Sequence, residues 1–225
     1  MSGSLHKLSP SDFAYLYQDC KHCYYQKIKN GITLPSMPMP GVFSAINSLV
    51  QSNYVGKKLK TLASDLPDGE VVSQEGFVES ITIPETSVYI KGKYDLLVKN
   101  PDGTYTVVDF KISKPGEDKI DKYKTQLGAY KFALENPKDD APIKISRLAL
   151  LMLFPNKTHF DNGAVLHFPH TWLDIHIDNA GFLKFMKEVD SVLSGPEPEV
   201  SESCKWCLYR KYYEPKAKIV DDIPF

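Results

Sequence analysis

Apolar and polar residues repeat with two periods along the chain, and the changes of period predict its elements. In some stretches the apolar residues recur every three to four positions, as in helices, whereas in others they alternate or run unbroken, as in strands. In chain order the pattern predicts a helix that begins at Ser9, a helix over 42–60, strands over 71–83, 88–99 and 105–112, a helix over 116–135, a buried strand over 147–154, an edge strand over 165–168 and a helix over 178–193. This order predicts an α/β or α+β fold with a central mixed sheet, and we take α/β as the predicted class.

Two segments indicate where the core lies. Residues 147–154 read RLALLMLF, an unbroken apolar run that is typical of a strand buried on both faces. In the helix over 42–60, the apolar residues Phe43, Ile46, Leu49 and Val50 share one face. We expect that face to point inward.

The segment 100–104, NPDGT, predicts how the second and third strands pair. Pro at the second and Gly at the fourth turn position suit a type I turn followed by a left-handed residue, which gives a three-residue hairpin loop. With the first and last residues of the segment paired, Asp95 lies opposite Asp109, and Lys111 lies on the same face two residues further on. The hairpin therefore predicts two carboxylates and one ammonium close together.

Two interpretations of this group follow from its chemistry. Opposed carboxylates repel each other, and a divalent cation such as Mg²⁺ removes that repulsion and supports phosphodiester hydrolysis. In that case Lys111 positions or deprotonates the attacking water, or binds the phosphate. The alternative is a surface ladder of ion pairs on a solvated sheet, and a slip of one residue in register destroys the convergence.

The composition excludes several classes of protein. The 225 residues suffice for one domain, 1–225, with its own core. Lys and Arg number 27 against 28 Asp and Glu, a net charge of −1, which excludes an overall basic coat for nucleic acid. No apolar run reaches ~18 residues and the N-terminus lacks an apolar signal core, so we expect a cytoplasmic protein without a membrane span.

Lysines cluster after the third strand and either hold a phosphate backbone or cover a solvated helix face: Lys111, Lys114, Lys119, Lys122, Lys124 and Lys131.

Three motifs stand out along the strands and the following helix: GKYD at 92–95, VVDFK at 107–111, and Gln126 followed four residues later by Tyr130. Together they resemble the PD-(D/E)XK nuclease superfamily, and its RecB-like branch in particular. The resemblance implies a restriction-endonuclease-like core of helix, three-stranded meander, helix and strand. It also implies a metal-dependent DNA nuclease, in which Gln126 and Tyr130 support the site and touch DNA.

The resemblance implies a role for each residue of the convergent group. Asp95, Asp109 and the backbone carbonyl of Phe110 are implied as ligands of Mg²⁺ or Mn²⁺. Lys111 is implied as the catalytic lysine.

The sequence departs from this branch at one position. The first core helix of the branch usually carries a His or an acidic metal ligand, and the predicted helix over 42–60 has neither. Asn47 or Gln51 on that helix, or Glu75 or Glu79 on the first strand, are the available substitutes.

Four cysteines form two C-x-x-C pairs about 180 residues apart, Cys20 with Cys23 and Cys204 with Cys207. In a reducing compartment such pairs bind metal more often than they form disulfides, and four thiolates suit tetrahedral Zn²⁺ or a [4Fe–4S] cluster. The cysteine-bearing flanks, 5–30 and 195–213, resemble the iron–sulfur staple of the RecB-like branch, including the AddB and CRISPR-associated exonucleases. That resemblance implies a [4Fe–4S] cluster, with Zn²⁺ as the alternative.

The sequence ends in an acidic tail, 214–225. Its last residues resemble the C-terminal tip of bacterial single-stranded-DNA-binding proteins, which repair and replication proteins read: Asp221, Asp222, Ile223, Pro224 and Phe225. A terminal Phe with its carboxylate suits a small apolar pocket with a basic rim, and the alternative is a frayed acidic tail.

These features together predict a metal-dependent deoxyribonuclease, an exonuclease or end-processing enzyme in replication, recombination or repair. Two other functions stay open. One is a catalytically silent DNA-binding module of the same fold, and the other is an adaptor that binds proteins through its tail.

Overall fold

The computed structural model describes residues 5–34, 40–51 and 53–213. These residues form ten strands and seven α-helices. The strands are β1 (His6–Leu8), β2 (Glu70–Gln74), β3 (Phe77–Thr82), β4 (Val88–Lys93), β5 (Leu96–Lys99), β6 (Tyr105–Ile112), β7 (Ile145–Leu153), β8 (Lys157–Phe160), β9 (Ala164–His167) and β10 (His170–Ile175). The helices are α1 (Pro10–Asp12), α2 (Lys21–Asn30), α3 (Gly41–Gln51), α4 (Leu59–Leu62), α5 (Asp118–Glu135), α6 (Asn179–Ser194) and α7 (Lys205–Tyr213). A π-helical stretch, Phe13–Tyr17, continues α1. The acidic tail lies outside the described residues.

The central sheet is mixed, in the strand order β10-β7-β6-β5-β2. Strands β6 and β7 are parallel and the other pairs are antiparallel. Strand β7 lies in the middle of the protein because both of its faces are covered: Leu150 and Met152 pack into one apolar cluster, and Leu151 and Leu153 into another. The unbroken apolar run of this strand is thereby explained, and the predicted α/β fold with a mixed sheet is confirmed.

The predicted strands over 71–83 and 88–99 are each divided in two. Strands β2 and β5 belong to the central sheet, whereas β3 and β4 form a second sheet with β1. The chain changes sheets at Glu75, whose φ of +50° is left-handed, and at Gly76, where a Cβ would lie 2.2 Å from the Tyr94 hydroxyl oxygen. The pattern of apolar positions alone does not show this break, because apolar residues continue on both sides of it.

The register of the hairpin between β5 and β6 agrees with its prediction. Leu96 pairs with Val108 and Lys99 with Tyr105, and the Asn100 amide donates to the Thr104 carbonyl at 2.8 Å. Gly103, at a φ of +83°, supplies the left-handed residue after the turn. The same register carried one residue beyond Leu96 sets Asp95 opposite Asp109 on β6.

Helix α3 differs from its prediction in length and in orientation. It ends at Gln51 rather than at residue 60, and Leu49 is 70% exposed. Of the four residues expected inward, only Ile46 and Val50 are half-buried. Phe43 is exposed because it stands beside an open cavity rather than against the sheet.

The C-terminal strands also differ from prediction. The predicted edge strand over 165–168 is β9, which pairs with β8 in a separate exposed hairpin. The edge of the central sheet is β10, which the sequence did not reveal because its alternation is irregular. Among the described residues, no helix is long and apolar enough to cross a bilayer.

Candidate metal centres

The hairpin and β6 bring the predicted acidic residues and lysine together. The Lys111 ammonium lies 2.6 Å from Asp109 Oδ2 and 3.8 Å from Asp95 Oδ2. Asp95 Oδ2 also accepts a hydrogen bond from the Phe110 amide at 2.8 Å, so this carboxylate is anchored to the strand that carries the other two side chains. The three charges therefore meet at one point, as the register predicts.

Burial differs within this group, since Asp95 and Lys111 are half-buried and Asp109 is buried. Asp109 is 2% exposed, and burial raises the pKa of its carboxyl to about 7, with the neighbouring Asp95 adding to the rise and Lys111 opposing it. Burial by itself lowers the pKa of Lys111, but the two carboxylates outweigh it and the pKa is raised overall. Lys111 is thus held as an ammonium, a charge that suits a phosphate oxygen.

Helix α5 supplies the two predicted supporting residues. Gln126 is buried, and its amide nitrogen donates to Asp109 Oδ1 at 2.8 Å. Tyr130, one turn further on, donates its hydroxyl to the Lys93 carbonyl at 2.7 Å and so fixes the end of β4, two residues before Asp95. Gln126 contacts the acidic pair directly, whereas Tyr130 acts on the backbone beside it.

A cavity of about 670 Å³ opens over Asp95 and Lys111, and the buried Asp109 lies behind them. Its walls come from β6, from α3, and from Tyr15 and Tyr123. Gln51, at the end of α3, is 3% exposed, and its amide nitrogen donates to Asn47 Oδ1 at 2.9 Å. Its Oε1 has no hydrogen-bond partner among the described residues, although the atom is buried.

The four substitutes for the missing helix ligand differ in whether they line this cavity. Asn47, Gln51 and Glu75 line the cavity. Glu79 does not, since it forms ion pairs with Lys91 and Lys138. Asp109 Oδ2 likewise has no hydrogen bond of regular geometry within the described part of the chain, only its ion pair with Lys111.

The two C-x-x-C pairs meet in a second, separate group. All four thiols are buried, and their sulfurs lie within 4.8 Å of one another. Cys20 and Cys207 are 3.6 Å apart, Cys23 and Cys204 3.7 Å, and Cys23 and Cys207 3.6 Å. Four converging thiols with no disulfide among them form a site that fits a metal ion or a cluster.

Each cysteine pair spans the first turn of a helix. Cys20 caps α2, and its sulfur accepts from the Cys23 amide at 3.4 Å; Cys204 directly precedes α7. Burial tends to raise the pKa of Cys204, but backbone amides at the start of α7 outweigh it and the pKa is lowered. The start of α7 therefore helps the Cys204 sulfur to become a thiolate, whereas burial raises the pKa of Cys23 and of Cys207.

Several residues near these centres are absent from the sequence-based site. Tyr15 and Tyr123 line the cleft, and Arg210 donates from Nη2 to Cys23 Sγ at 2.9 Å. Arg210 has a detectable signal, because it follows Cys207 by three residues on one helix and is one of few arginines. The tyrosines have none, since the chain contains 13.

Comparison with known proteins gives one extensive match at the family level. The model of the PD-(D/E)XK nuclease superfamily matches residues 33–212. A solved structure titled "Crystal structure of SSO0001" is 12% identical, over 94% of this chain and 87% of that chain, with a TM-score of 0.47. No curated protein matches the sequence.

Proposed function

Since the chain belongs to the PD-(D/E)XK nuclease superfamily, we propose that it is a Mg²⁺- or Mn²⁺-dependent deoxyribonuclease of the RecB-like branch. The superfamily consists mostly of metal-dependent nucleases, so a nuclease-type function on DNA is the general expectation. The observation that carries the specific proposal is the meeting of Asp95, Asp109 and Lys111 beneath an open cavity.

The donor atoms in the cleft fit a hard divalent cation. Asp95, Asp109 and the Phe110 carbonyl offer oxygen, the ligand type that Mg²⁺ and Mn²⁺ take. Two buried oxygens without a regular hydrogen bond in the described chain, Asp109 Oδ2 and Gln51 Oε1, add to the fit. When bound, the ion supplies Lewis-acid activation of the phosphate and of water.

The protein groups around the ion have separate tasks. Lys111 binds the phosphate oxygen that gains charge, because its ammonium is fixed between the two carboxylates. Gln126 holds Asp109 in one orientation through its hydrogen bond. Tyr130 acts as a positioning residue, because it anchors the backbone at Lys93.

Gln51 takes the place of the missing helix ligand in this proposal. It lines the cleft at the end of α3, and its buried Oε1 has no hydrogen bond among the described residues. An amide oxygen is a neutral ligand, so the centre carries one negative charge fewer than a site with a Glu there. We therefore expect weaker binding of the divalent ion than with an acidic ligand.

The cysteine centre clasps the two flanks, and we favour Zn²⁺ as its occupant. A tetrahedral Zn²⁺ with bonds of about 2.3 Å separates its sulfurs by about 3.8 Å. Three sulfur pairs here lie 3.6–3.7 Å apart. A [4Fe–4S] cluster places four irons between the sulfurs and requires a wider cage, and the resemblance to the iron–sulfur staple supports it as the alternative. Metal analysis of anaerobically purified protein, with its visible absorption spectrum, distinguishes the two.

The finer biological role follows from sequence likeness. The RecB-like resemblance favours exonuclease or end-processing action in replication, recombination or repair. The tip Asp221–Phe225, outside the described residues, is a candidate docking peptide for repair or replication proteins. Its deletion should remove partner capture and leave cleavage intact; equal capture would contradict a docking role.

A catalytically silent DNA-binding module is the second candidate. The absence of any His, Asp or Glu from α3 favours it, because that helix carries a charged ligand in active relatives of the branch. The test is incubation of end-labelled single- and double-stranded DNA with Mg²⁺ or Mn²⁺, using wild type, Asp109→Ala and Lys111→Ala. Cleavage by wild type alone supports the nuclease, whereas DNA binding without cleavage supports the silent module.

A further inference from the structure

One wall of the cleft comes from the N-terminal flank rather than from the sheet. Tyr15, in the π-helical stretch, and Tyr123, on α5, line the same cavity as Asp95 and Lys111. Tyr15 is 48% exposed, whereas Tyr123 is buried. Two accessible aromatic rings therefore line the cleft, Phe43 on α3 and Tyr15, and Tyr15 is the one in contact with Tyr123 and Lys122.

The ring of Tyr15 is held in place by its neighbours. Its hydroxyl and that of Tyr123 are 2.6 Å apart, and the two rings meet edge to face with centroids 5.9 Å apart. The Lys122 ammonium lies 4.4 Å from the Tyr15 ring centroid. Because these contacts already restrain the side chain, a ligand that packs on the ring costs it little further freedom.

The Tyr15 ring lies within a few nucleotides' length of Lys111, the residue proposed to bind the reacting phosphate. Lys111 Nζ is 5.1 Å from the Tyr123 centroid, so the two separations place the Tyr15 centroid within about 11 Å of that ammonium. One DNA strand rises by about 3.4 Å per nucleotide. A phosphate at Lys111 therefore has a neighbouring base, one to three nucleotides along, within reach of Tyr15. The cations Lys111 and Lys122, on either side of this path, complement the negative charge of the DNA backbone.

We propose that Tyr15 is a base-stacking residue, and that the cleft takes single-stranded DNA with an unpaired base packed on this ring. The inference rests on the proposed nuclease function and names its substrate class. Inside a duplex both faces of each base are covered by neighbouring bases, whereas the bases of an unpaired strand are free to stack on a protein ring. A cavity of about 670 Å³ has the size of a ligand pocket that suits such a nucleotide.

The test measures base stacking apart from catalysis. Fluorescence anisotropy in buffer without added Mg²⁺ or Mn²⁺, and without chelator so that the cysteine centre keeps its metal, compares a labelled 12-nucleotide thymidine strand with an abasic strand of the same length and charge. We expect wild type to bind the thymidine strand about tenfold more tightly, because one stacked base contributes an affinity change of this order. Tyr15→Leu should lose the preference and Tyr15→Phe should keep it. Phe160→Ala, at another exposed aromatic residue, is the matched control and should also keep it.

The outcomes separate this inference from the nuclease proposal. Equal binding of both strands by wild type, or an unchanged preference in a folded Tyr15→Leu protein, would overturn the stacking role. Parallel cleavage assays with Mn²⁺ test the nuclease proposal separately. Cleavage by a protein that shows no base preference would overturn the stacking role and leave the nuclease proposal intact. Base preference without cleavage supports the stacking role and contradicts the nuclease. Melting curves of each variant confirm that the proteins compared are folded.

Discussion

The acidic group of the cleft and the cysteine centre are assembled from very different lengths of chain. Asp95, Asp109 and Lys111 come from one hairpin and its strand, and the turn at 100–104 sets their register. Cys23 and Cys207 meet across 184 positions, through helices at the two ends of the described chain. A local turn is therefore enough to place the first group, whereas the second requires the whole fold to close.

The two centres also differ in the metal chemistry that they suit. Carboxylate and carbonyl oxygens in the cleft match Mg²⁺ or Mn²⁺, and the cysteine sulfurs match Zn²⁺ or an iron–sulfur cluster. They differ in access too, because the cleft opens into a cavity while the four thiols are buried. We infer that the oxygen centre performs the chemistry and that the sulfur centre holds the flanks.

The N-terminal flank connects the two centres. It carries both Cys20 and Tyr15, five residues apart, and Tyr15 forms a wall of the cleft. Loss of the sulfur centre should therefore affect the cleft through the position of Tyr15. Variants that remove one centre and spare the other test how far the two centres act independently.

The largest expected effect comes from Lys111→Ala. We expect the single-turnover rate of DNA cleavage to fall by about a thousandfold or more, because the cation that binds the reacting phosphate is removed. The melting temperature should also fall, because the variant leaves the buried Asp109 without its counter-charge, so cleavage is compared at a temperature where circular dichroism shows both proteins to be folded. Lys91→Ala, which removes an exposed lysine paired with Glu79, is the control and should cleave within twofold of wild type. A similar loss in both variants would mean that cleavage is not tied to this lysine.

Cys204→Ser should mainly lower stability. Removing one thiolate from a four-sulfur centre weakens metal binding, and the binding free energy is part of the folding free energy. We expect the melting temperature to fall by roughly 10 °C, which is the shift of a few kcal/mol in a chain of this size. Ser203→Ala, at the neighbouring exposed position, should melt like wild type. An unchanged melting temperature and metal content in Cys204→Ser would contradict the proposal that the sulfur centre holds the two flanks together.

Gln51→Glu should strengthen the oxygen centre. A carboxylate in place of the amide adds a negative charge beside the proposed ion, and we expect the Mg²⁺ concentration for half-maximal cleavage to fall by about tenfold. Gln51→Leu removes the oxygen and should raise that concentration. If both variants titrate like wild type, Gln51 is not a ligand.

The smallest effect is expected for Arg210→Met. The guanidinium donates to Cys23 Sγ, and such a contact from outside the ligand set typically changes metal affinity by about tenfold. Competition with a chelator should therefore extract the metal more readily from this variant. Lys211→Met, at the next, exposed position on α7, should behave as wild type, and equal extraction from all three proteins would exclude a role for Arg210.

The sequence predicts those parts of the site that depend on neighbouring residues. The 100–104 turn predicts the register and therefore the meeting of Asp95 with Asp109 and Lys111. The apolar run of β7 predicts its burial. In each case a short stretch of chain determines the geometry.

Features that depend on distant packing are not predicted. The break at Glu75 and Gly76 is set by the approach of the Tyr94 ring, which the apolar pattern does not encode. The exposure of Phe43 follows from the cavity beside α3. Tyr15 reaches the cleft because the flank folds against α5, so its place is decided by tertiary structure.

The most direct test of the central claim is Mn²⁺ binding by electron paramagnetic resonance, measured with DNA cleavage on the same preparations. Wild type, Asp109→Asn and the exposed control Asp161→Asn are compared. We expect wild type and Asp161→Asn to bind Mn²⁺ and to cleave DNA, and Asp109→Asn to lose both while keeping its cysteine-bound metal. Wild-type Mn²⁺ binding or wild-type cleavage in Asp109→Asn would contradict the assignment of the oxygen centre as the catalytic site.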